Sequence, residues 1–319
     1  MTKHFIKNIE IKDFKCFDKF KTEGFKRVNL ISGKNNVGKT ALMEAIWINV
    51  HSKNIKTCIT SLGEVIFMRE NINILTKSLK VDLKKFIEKN DNIFVKSNIN
   101  QVFYKINDND GEKNYIFEFN NKKIEKNINN FSFEIENIKN TIFVDNFGLS
   151  DKDIIENYSA TQTKEKESYL DKVLNYFDSS IESFKIIKNT PSCKINGKYL
   201  KLTELGDGTK HLVSVVTSLH ACENGYLFID EIDNGIHYTQ LDNIWEIILK
   251  VSKELNVQIF ATTHSKECID SYARVAKKLE DEDITFVELG KKNNEIKAMV
   301  YPYKWFLDEI DQNHEVRGW

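Results

Sequence analysis

Proline is nearly missing from this chain. Pro191 and Pro302 are the only two in 319 residues, so no proline-rich linker divides it and no stiff polyproline segment acts as a spacer. The five cysteines, Cys16, Cys58, Cys193, Cys222 and Cys268, are odd in number and widely separated, with no CxxC pair. That argues against both a disulfide framework and a zinc site and leaves incidental thiols of a reducing compartment. Long apolar runs are absent as well: nothing approaches the roughly 18 uninterrupted apolar residues of a membrane span. The opening MTKHFIKNIEIKDF interleaves charges with apolar residues and has no apolar block of the secretory kind. No membrane partner is expected, and the expected location is cytoplasmic. An excess of one charge sign is also lacking. A formal net charge of −1 gives no global attraction to a polyanion. The first 60 residues do carry 12 Lys and Arg against 5 Asp and Glu, a bias that suits a solvated face better than a nucleic-acid footprint.

With 41% hydrophobic and 29% charged residues, the composition is that of a globular protein. Its length suggests one α/β core with a substantial insertion, or two domains. FIKNIEIKDFKCF, at 5–17, alternates apolar and polar residues, the period of strands with one buried face, and predicts a short antiparallel ribbon. RVNLIS, at 27–32, reads as a buried strand. TALMEAIWINV follows at helical spacing, with Leu42, Ala45, Ile46 and Asn49 on one side. From about 53 to 201 the chain becomes rich in Asn and Lys and loses motif character. There QVFYKIND and KNYIFEFN flank NDNDGE as a hairpin, and Tyr169, Val173, Tyr176 and Phe177 space as one helical face. No heptad run is long enough for a coiled-coil arm. Beyond this stretch, Leu212, Val215, Val216 and Leu219 mark a helix, YLFIDE a buried strand, LDNIWEIILKVSKEL a second helix and VQIFATTH another strand. Buried strands alternating with amphipathic helices make a largely parallel sheet covered by helices.

GKNNVGKT, at 33–40, fits GxxxxGK[ST] position by position through Gly33, Gly38, Lys39 and Thr40, with a strand before it and a helix after it. In such a loop the backbone N–H groups of Asn35, Asn36, Val37 and Gly38 converge on phosphates, Lys39 reaches the β/γ oxygens of ATP and the Thr40 hydroxyl ligates Mg²⁺. FIDE supplies the partner half: Asp230 would hold Mg²⁺ through water, and Glu231 would accept a proton from the attacking water or orient it. LGDGT opens a helix with Leu205, Gly206, Asp207 and Gly208, where two glycines allow the backbone to approach a phosphate and the helix dipole favours negative charge. ATTHS places His264 at the end of a buried strand, within reach of a γ-phosphate or the attacking water. Asp281 and Asp283 of DED, with no glutamate motif on a preceding strand, read as a solvated loop.

The order GxNxxGKT, LGDGT, FIDEIDNGIH, ATTH resembles ABC-type P-loop ATPase heads of the RecF, SMC and OLD kind. Among these it looks most like stand-alone prokaryotic AAA-type ATPases similar to the OLD-family ATPase domain, including ATPase components of the anti-phage systems PARIS and Septu. The ending EVRG looks like that group's tail. The resemblance implies an α/β P-loop NTPase fold of the ABC-ATPase head type, with a mostly parallel core sheet, an N-terminal antiparallel ribbon and a mixed α+β insertion lobe. It implies that Asn35 takes the Walker A asparagine, that Leu205 to Gly208 take the signature motif and that His264 takes the switch histidine. It also implies a homodimer, or a higher homo-oligomer, in which one subunit's signature caps ATP held by the other's loop. Two departures stand out. Gly206 replaces the usual signature serine, and His237 stands where many relatives carry an aspartate, which suggests slow or partner-dependent hydrolysis. No Q-loop glutamine can be assigned, since Gln101 and Gln162 both fall in the insertion.

The expected organisation is a Walker A half at 1–52, an insertion lobe at 53–201, a half carrying the signature, Walker B and switch histidine at 202–302, and a tail at 303–319. The chain after ATTHS is too short for the TOPRIM nuclease domain that OLD proteins add. The expected function is Mg²⁺-dependent ATP hydrolysis in which nucleotide-gated dimerisation regulates a separate effector protein, a nuclease or toxin in anti-phage defence. The alternative is a RecF-like ATP-gated DNA-binding clamp in repair.

Overall fold

The computed structural model describes residues 4–70, 92–109, 112–127 and 140–312. Residues 315–318, the EVRG ending, lie outside the described residues. The chain opens with β1 (Asn8–Phe14) and β2 (Phe17–Glu23), antiparallel, with Phe14 opposite Phe17. Their alternation works as the sequence suggests: Ile9, Ile11, Phe20 and Thr22 turn inward and are buried. Then come β3 (Val28–Gly33), α1 (Lys39–His51) and α2 (Ile55–Glu70). Four more strands, β4 (Asn92–Ser97), β5 (Gln101–Asn109), β6 (Glu112–Phe119) and β7 (Lys122–Asn127), continue the ribbon into a six-stranded antiparallel sheet in the order β2-β1-β4-β5-β6-β7. The hairpin expected around NDNDGE is β5–β6. Pairing of β4 with β1, Val95 opposite Ile11, crosses the 52/53 boundary.

The remainder runs β8 (Thr141–Val144), α3 (Asp151–Thr163), α4 (Glu167–Phe177), a three-stranded sheet of β9 (Ile181–Ile187), β10 (Thr190–Ile195) and β11 (Lys198–Lys201), then α5 (Asp207–Ala221) and β12 (Tyr226–Ile229). It ends with α6 (Leu241–Glu254), β13 (Gln258–Thr262), α7 (Lys266–Leu279), β14 (Ile284–Lys292), β15 (Glu295–Pro302) and α8 (Tyr303–Asp311). The central sheet has the order β15-β14-β3-β13-β12-β8, parallel except for the edge strand β15. β3, β12 and β13 are buried along their whole lengths, as apolar strands covered on both faces must be. Among the described residues no helix is long and apolar enough to cross a membrane.

Two hydrophobic cores cover the two faces of this sheet. On one, Leu42, Ile46 and Trp47 of α1 join the inward residues of the antiparallel sheet with Phe228, Phe260 and Val287. On the other, residues of α3 to α8 pack with Leu227, Ile229, Ile259 and Ala261. α1 was expected to bury one stripe, yet all its residues except Thr40 are buried. The reason is its position between two sheets, against β1 and β4 on one side and β3 and β13 on the other. Two of its buried polar side chains find partners in the antiparallel sheet and its turns, while both ring nitrogens of His51 have none. Glu44 pairs with Lys15. Asn49 Nδ2 donates to the carbonyls of Val95 at 3.2 Å and Asn100 at 3.0 Å, and its Oδ1 accepts from Ser97 Oγ at 2.6 Å. α4 differs from its expected face too. Leu170, Val173 and Leu174 are buried, while Tyr176 is 68% exposed.

Asp281 does not lie in a solvated loop. Its carboxylate is buried and ion-paired with the buried guanidinium of Arg27, which also donates to the carbonyl of Leu249 at 3.1 Å and to Ser252. Asp283, half exposed, sits 3.7 Å from the same guanidinium. The pair fastens the start of β3 to α6 and to the turn before β14. Removing one partner of a buried pair strands the other charge without water, which typically costs about 3–5 kcal/mol. Asp281→Ala is therefore expected to lower unfolding free energy by that order in chemical denaturation, while Asp283→Ala costs about 1 kcal/mol or less, as an exposed pair does. Equal effects of the two substitutions would contradict this arrangement.

Candidate active site

The loop between β3 and α1 has the conformation its glycines allow. Gly33, Asn36 and Gly38 have φ of 149°, 62° and 93°. A Cβ on Gly33 would stand 2.5 Å from the carbonyl oxygen of Leu289, and one on Gly38 would stand 2.6 Å from Cys16 Sγ. Neither position admits a side chain. Lys34, Asn35 and Asn36 face solvent while Val37 is buried beneath them. Gly38 is the N-cap of α1, so the helix N-terminus opens directly onto the loop. Lys39 folds back under it, with Nζ donating to the carbonyls of Gly33 at 3.0 Å and Lys34 at 3.1 Å and lying 3.3 Å from His264 Nδ1. Burial lowers the Lys39 pKa to about 8, opposed by the negative charges of Asp230 and Glu231.

The parallel register of β3, β13 and β12 sets Ile31 beside Thr262 and Ala261 beside Ile229. The residues that follow these strands therefore emerge at one edge. There Thr40 Oγ1 donates to Asp230 Oδ2 at 3.1 Å, and Thr262 Oγ1 donates to Asp230 Oδ1 at 2.6 Å. Thr262 Oγ1 also accepts the backbone N–H of Glu231 at 2.9 Å. Glu231 has φ of +50°, the left-handed region that a non-glycine residue occupies at a cost, and its side chain points outward, 43% exposed. His264 Nε2 lies 3.9 Å from Glu231 Oε1. Walker A, the FIDE carboxylates and the ATTH histidine thus converge.

A hydroxyl and a carboxylate oxygen side by side at a helix N-terminus are hard oxygen donors of the kind Mg²⁺ takes alongside nucleotide phosphates. Among the described residues no group of three or more His, Cys, Asp and Glu could hold a metal unaided. A cation here would depend on Thr40, Asp230 and the phosphates together.

LGDG lies elsewhere. Gly206 is the N-cap of α5, Gly206 and Asp207 are exposed, Leu205 is half-buried and Gly208 is buried. The two glycines serve different ends. A Cβ on Gly206 would meet nothing within 4 Å, so its amide is approachable, whereas one on Gly208 would be 2.1 Å from the carbonyl oxygen of Gly235. The close approach at Gly208 is taken by the chain's own loop after Glu231. α5 packs through Leu212, Val215, Val216 and Leu219 into the core on the sheet face opposite to α1. His237, exposed, has Nδ1 2.9 Å from Thr239 Oγ1. Gln101 begins β5 and Gln162 lies near the end of α3.

Two residues at this edge escaped the sequence reading. Thr262, read only as part of an apolar strand, bridges Asp230 and Glu231; its signal was a hydroxyl one residue past the last apolar position. Asp145 follows β8, whose Val144 carbonyl accepts the Asp230 N–H at 2.9 Å. Burial raises its pKa, opposed by the Phe147 N–H and by Lys210.

Comparison with known proteins fits this geometry. Residues 66–270 match the family model AAA_21, described as "AAA domain, putative AbiEii toxin, Type IV TA system". The chain is 24% identical over 323 residues to an "ATP/GTP phosphatase" of Helicobacter pylori, covering 83% of this chain and 86% of that protein. It also matches 66 residues of the uncharacterized protein MJECL11 of Methanocaldococcus jannaschii at 36% identity, 21% of this chain and 58% of that one. Two solved structures share the fold. A SmcHead bound to the C-winged helix domain of ScpA gives a TM-score of 0.55 at 11% identity, covering 94% of this chain and 99% of that chain. The Smc head with an extended coiled coil bound to the C-terminal domain of ScpA, derived from Pyrococcus furiosus, gives 0.54 at 9%, covering 97% and 99%. The fold is that of an ABC-type ATPase head, and the chain is a P-loop ATPase that belongs to the AAA_21 family.

Proposed function

We propose that this ATPase hydrolyses ATP at a site completed by two copies of the chain. The observation that carries the reading is the separation of LGDG from the nucleotide loop. α1 and α5 lie on opposite faces of one sheet, so the exposed Gly206 end of one copy is free to meet the nucleotide of another. In each site the loop amides and Lys39 bind the β- and γ-phosphates, as a helix N-terminus with a buried ammonium favours. Mg²⁺, held by Thr40 and by Asp230 through water, would neutralise charge on the phosphates. Glu231 accepts a proton as water attacks the γ-phosphorus, and the bond to the bridging β–γ oxygen breaks. Thr262 fixes the Asp230 carboxylate and the Glu231 backbone, and His264 stands beside Glu231 to orient the water or the phosphoryl oxygens.

The ATPase cycle would regulate a separately encoded effector, a nuclease or toxin of anti-phage defence, in the manner of OLD-like ATPases such as those of PARIS and Septu. The toxin–antitoxin wording of the family description supports this. The stretch at 53–201 and the tail at 303–319 would carry recognition. A second reading, a RecF-like ATP-gated DNA clamp, draws on Lys12 and Lys19, which oppose each other on the outward side of the β1–β2 ribbon, and on Lys21 beside them. DNA binding that falls steeply with salt and depends on ATP would favour this second reading.

Glu231→Gln keeps shape and loses the base, so turnover should fall by about 10² to 10⁴ with nucleotide binding retained. Lys39→Ala should lose binding itself. Near-normal turnover in Glu231→Gln would sink the assignment. Because Gly208 abuts Gly235, the trans contact is better probed at Gly206, where space is open. Gly206→Arg and Lys39→Ala proteins should each be inactive alone, and mixing them should restore up to one working site per dimer. No recovery on mixing, with both variants folded, would contradict a shared site.

A further inference from the structure

The six-stranded antiparallel sheet has two faces, and the core uses one of them. Its inward residues, among them Ile11, Val95, Val102 and Phe117, share a core with α1. Alternate residues of a pleated strand point the other way. In register across all six strands, one outward row reads Lys19, Lys12, Phe94, Phe103, Glu118 and Lys123. With neighbouring strands about 4.8 Å apart, the row is about 24 Å long.

The two phenylalanines at its middle require an explanation, because the solvated face of an antiparallel sheet is ordinarily polar. Phe94 and Phe103 are half-buried, whereas Lys96 and Lys105, next along the same strands on the same side, are exposed. Lys12 Nζ rests 4.8 Å from the centre of the Phe94 ring. The outward positions adjoining the two rings hold Lys12, Lys96 and Lys105, the amides Asn92 and Gln101, and one carboxylate, Glu118. Lys12 also pairs with Glu10 at 2.9 Å, both side chains being partly exposed, and such a pair holds weakly. Glu10 itself stands between Lys21 and Lys96 on the neighbouring strands.

Ring faces set among ammonium groups and amides match what an unpaired nucleotide strand presents: base faces, phosphates and base edges. A duplex offers the phosphates and keeps its bases stacked inside. The core of a protein interface is depleted in lysine, so this face suits a protein partner less well. We propose that the outer face of the six-stranded sheet holds single-stranded nucleic acid, with bases stacked on Phe94 and Phe103 and phosphates on Lys12, Lys96 and Lys105. As a base takes the Phe94 ring, the Lys12 ammonium moves from the ring to a phosphate. The inner face of the sheet packs on α1, the helix that the nucleotide loop opens. The strand and the nucleotide therefore lie on opposite sides of the sheet, and strand binding needs no ATP, unlike that of an ATP-gated clamp.

The test measures binding of the full chain to fluorescent oligothymidylate, oligouridylate and a DNA duplex, each about 12 nucleotides long, within the roughly 4–16 that one such platform spans. The single strands should bind without ATP, more tightly than the duplex, with an affinity that falls as salt rises. Tight binding of only one of them supports the platform and names the sugar it takes. Phe94→Ala and Phe103→Ala should each weaken single-strand binding by roughly 5- to 150-fold, the loss of one base–aromatic stack. Their ATP turnover and thermal melting should stay near wild type. Phe94→Trp should bind as wild type does, with its indole emission quenched by the stacked base. A folded variant carrying both alanines that binds single strands as wild type does overturns the proposal and leaves the shared ATP site untouched. So does a duplex held as tightly as the single strands, or no binding at low salt. If the alanine variants do not fold, Phe94→Trp decides: emission unchanged by added oligonucleotide overturns the proposal.

Discussion

Parallel pairing of β3, β13 and β12 is the constraint on which the rest of this protein depends. Three strands running the same way in register deliver a phosphate loop, a threonine and histidine, and two carboxylates to the same edge. The hydrogen bonds from Thr40 and Thr262 to Asp230 then tie all three ends together. Parallel strands require crossovers, and the helices that make them cover both faces of the sheet. Asp230, Glu231 and His264 sit just past a strand's last residue, where the backbone leaves the ladder and a side chain can face a ligand, and Lys39 and Thr40 open the helix that follows the loop after β3. The φ of Glu231, held by Thr262, shows that this exit is strained at the residue assigned the chemistry.

The central strands and their loops were legible in the sequence because their signals are local. A glycine pattern, an apolar run ending in acids and an apolar run ending in THS each state their own geometry. What was not legible depends on partners distant in the chain. α1 shows a stripe in sequence, yet an antiparallel sheet on its other side buries Met43, Glu44 and Trp47 as well. That sheet grows from β1 by pairing with β4, some eighty residues later, and no local pattern announces it. Asp281 reads as one acid among three until Arg27, 254 residues away in sequence, is seen to bury it. Gly208 follows the same logic: its pattern suggests a phosphate, and the neighbour that needs the space is Gly235.

On the shared-site reading proposed above, the site within one chain is also incomplete in a specific sense. Lys39, Thr40, Asp230, Glu231 and His264 stand together, while Gly206 and Asp207 are exposed at the start of a 15-residue helix that packs on the sheet face opposite to α1. A helix N-terminus with accessible amides is well suited to a phosphate that its own chain cannot supply. In the proposed shared site, head-to-tail pairing of two copies would meet this need twice, once in each direction.

The dependence of specific ATPase activity on protein concentration tests that claim most directly. The account predicts that turnover per chain rises with concentration and reaches a plateau as dimers fill, with the plateau shared by an ATP-dependent change in sedimentation. Turnover per chain that stays constant on dilution, in protein sedimenting as a monomer with ATP bound, would contradict it.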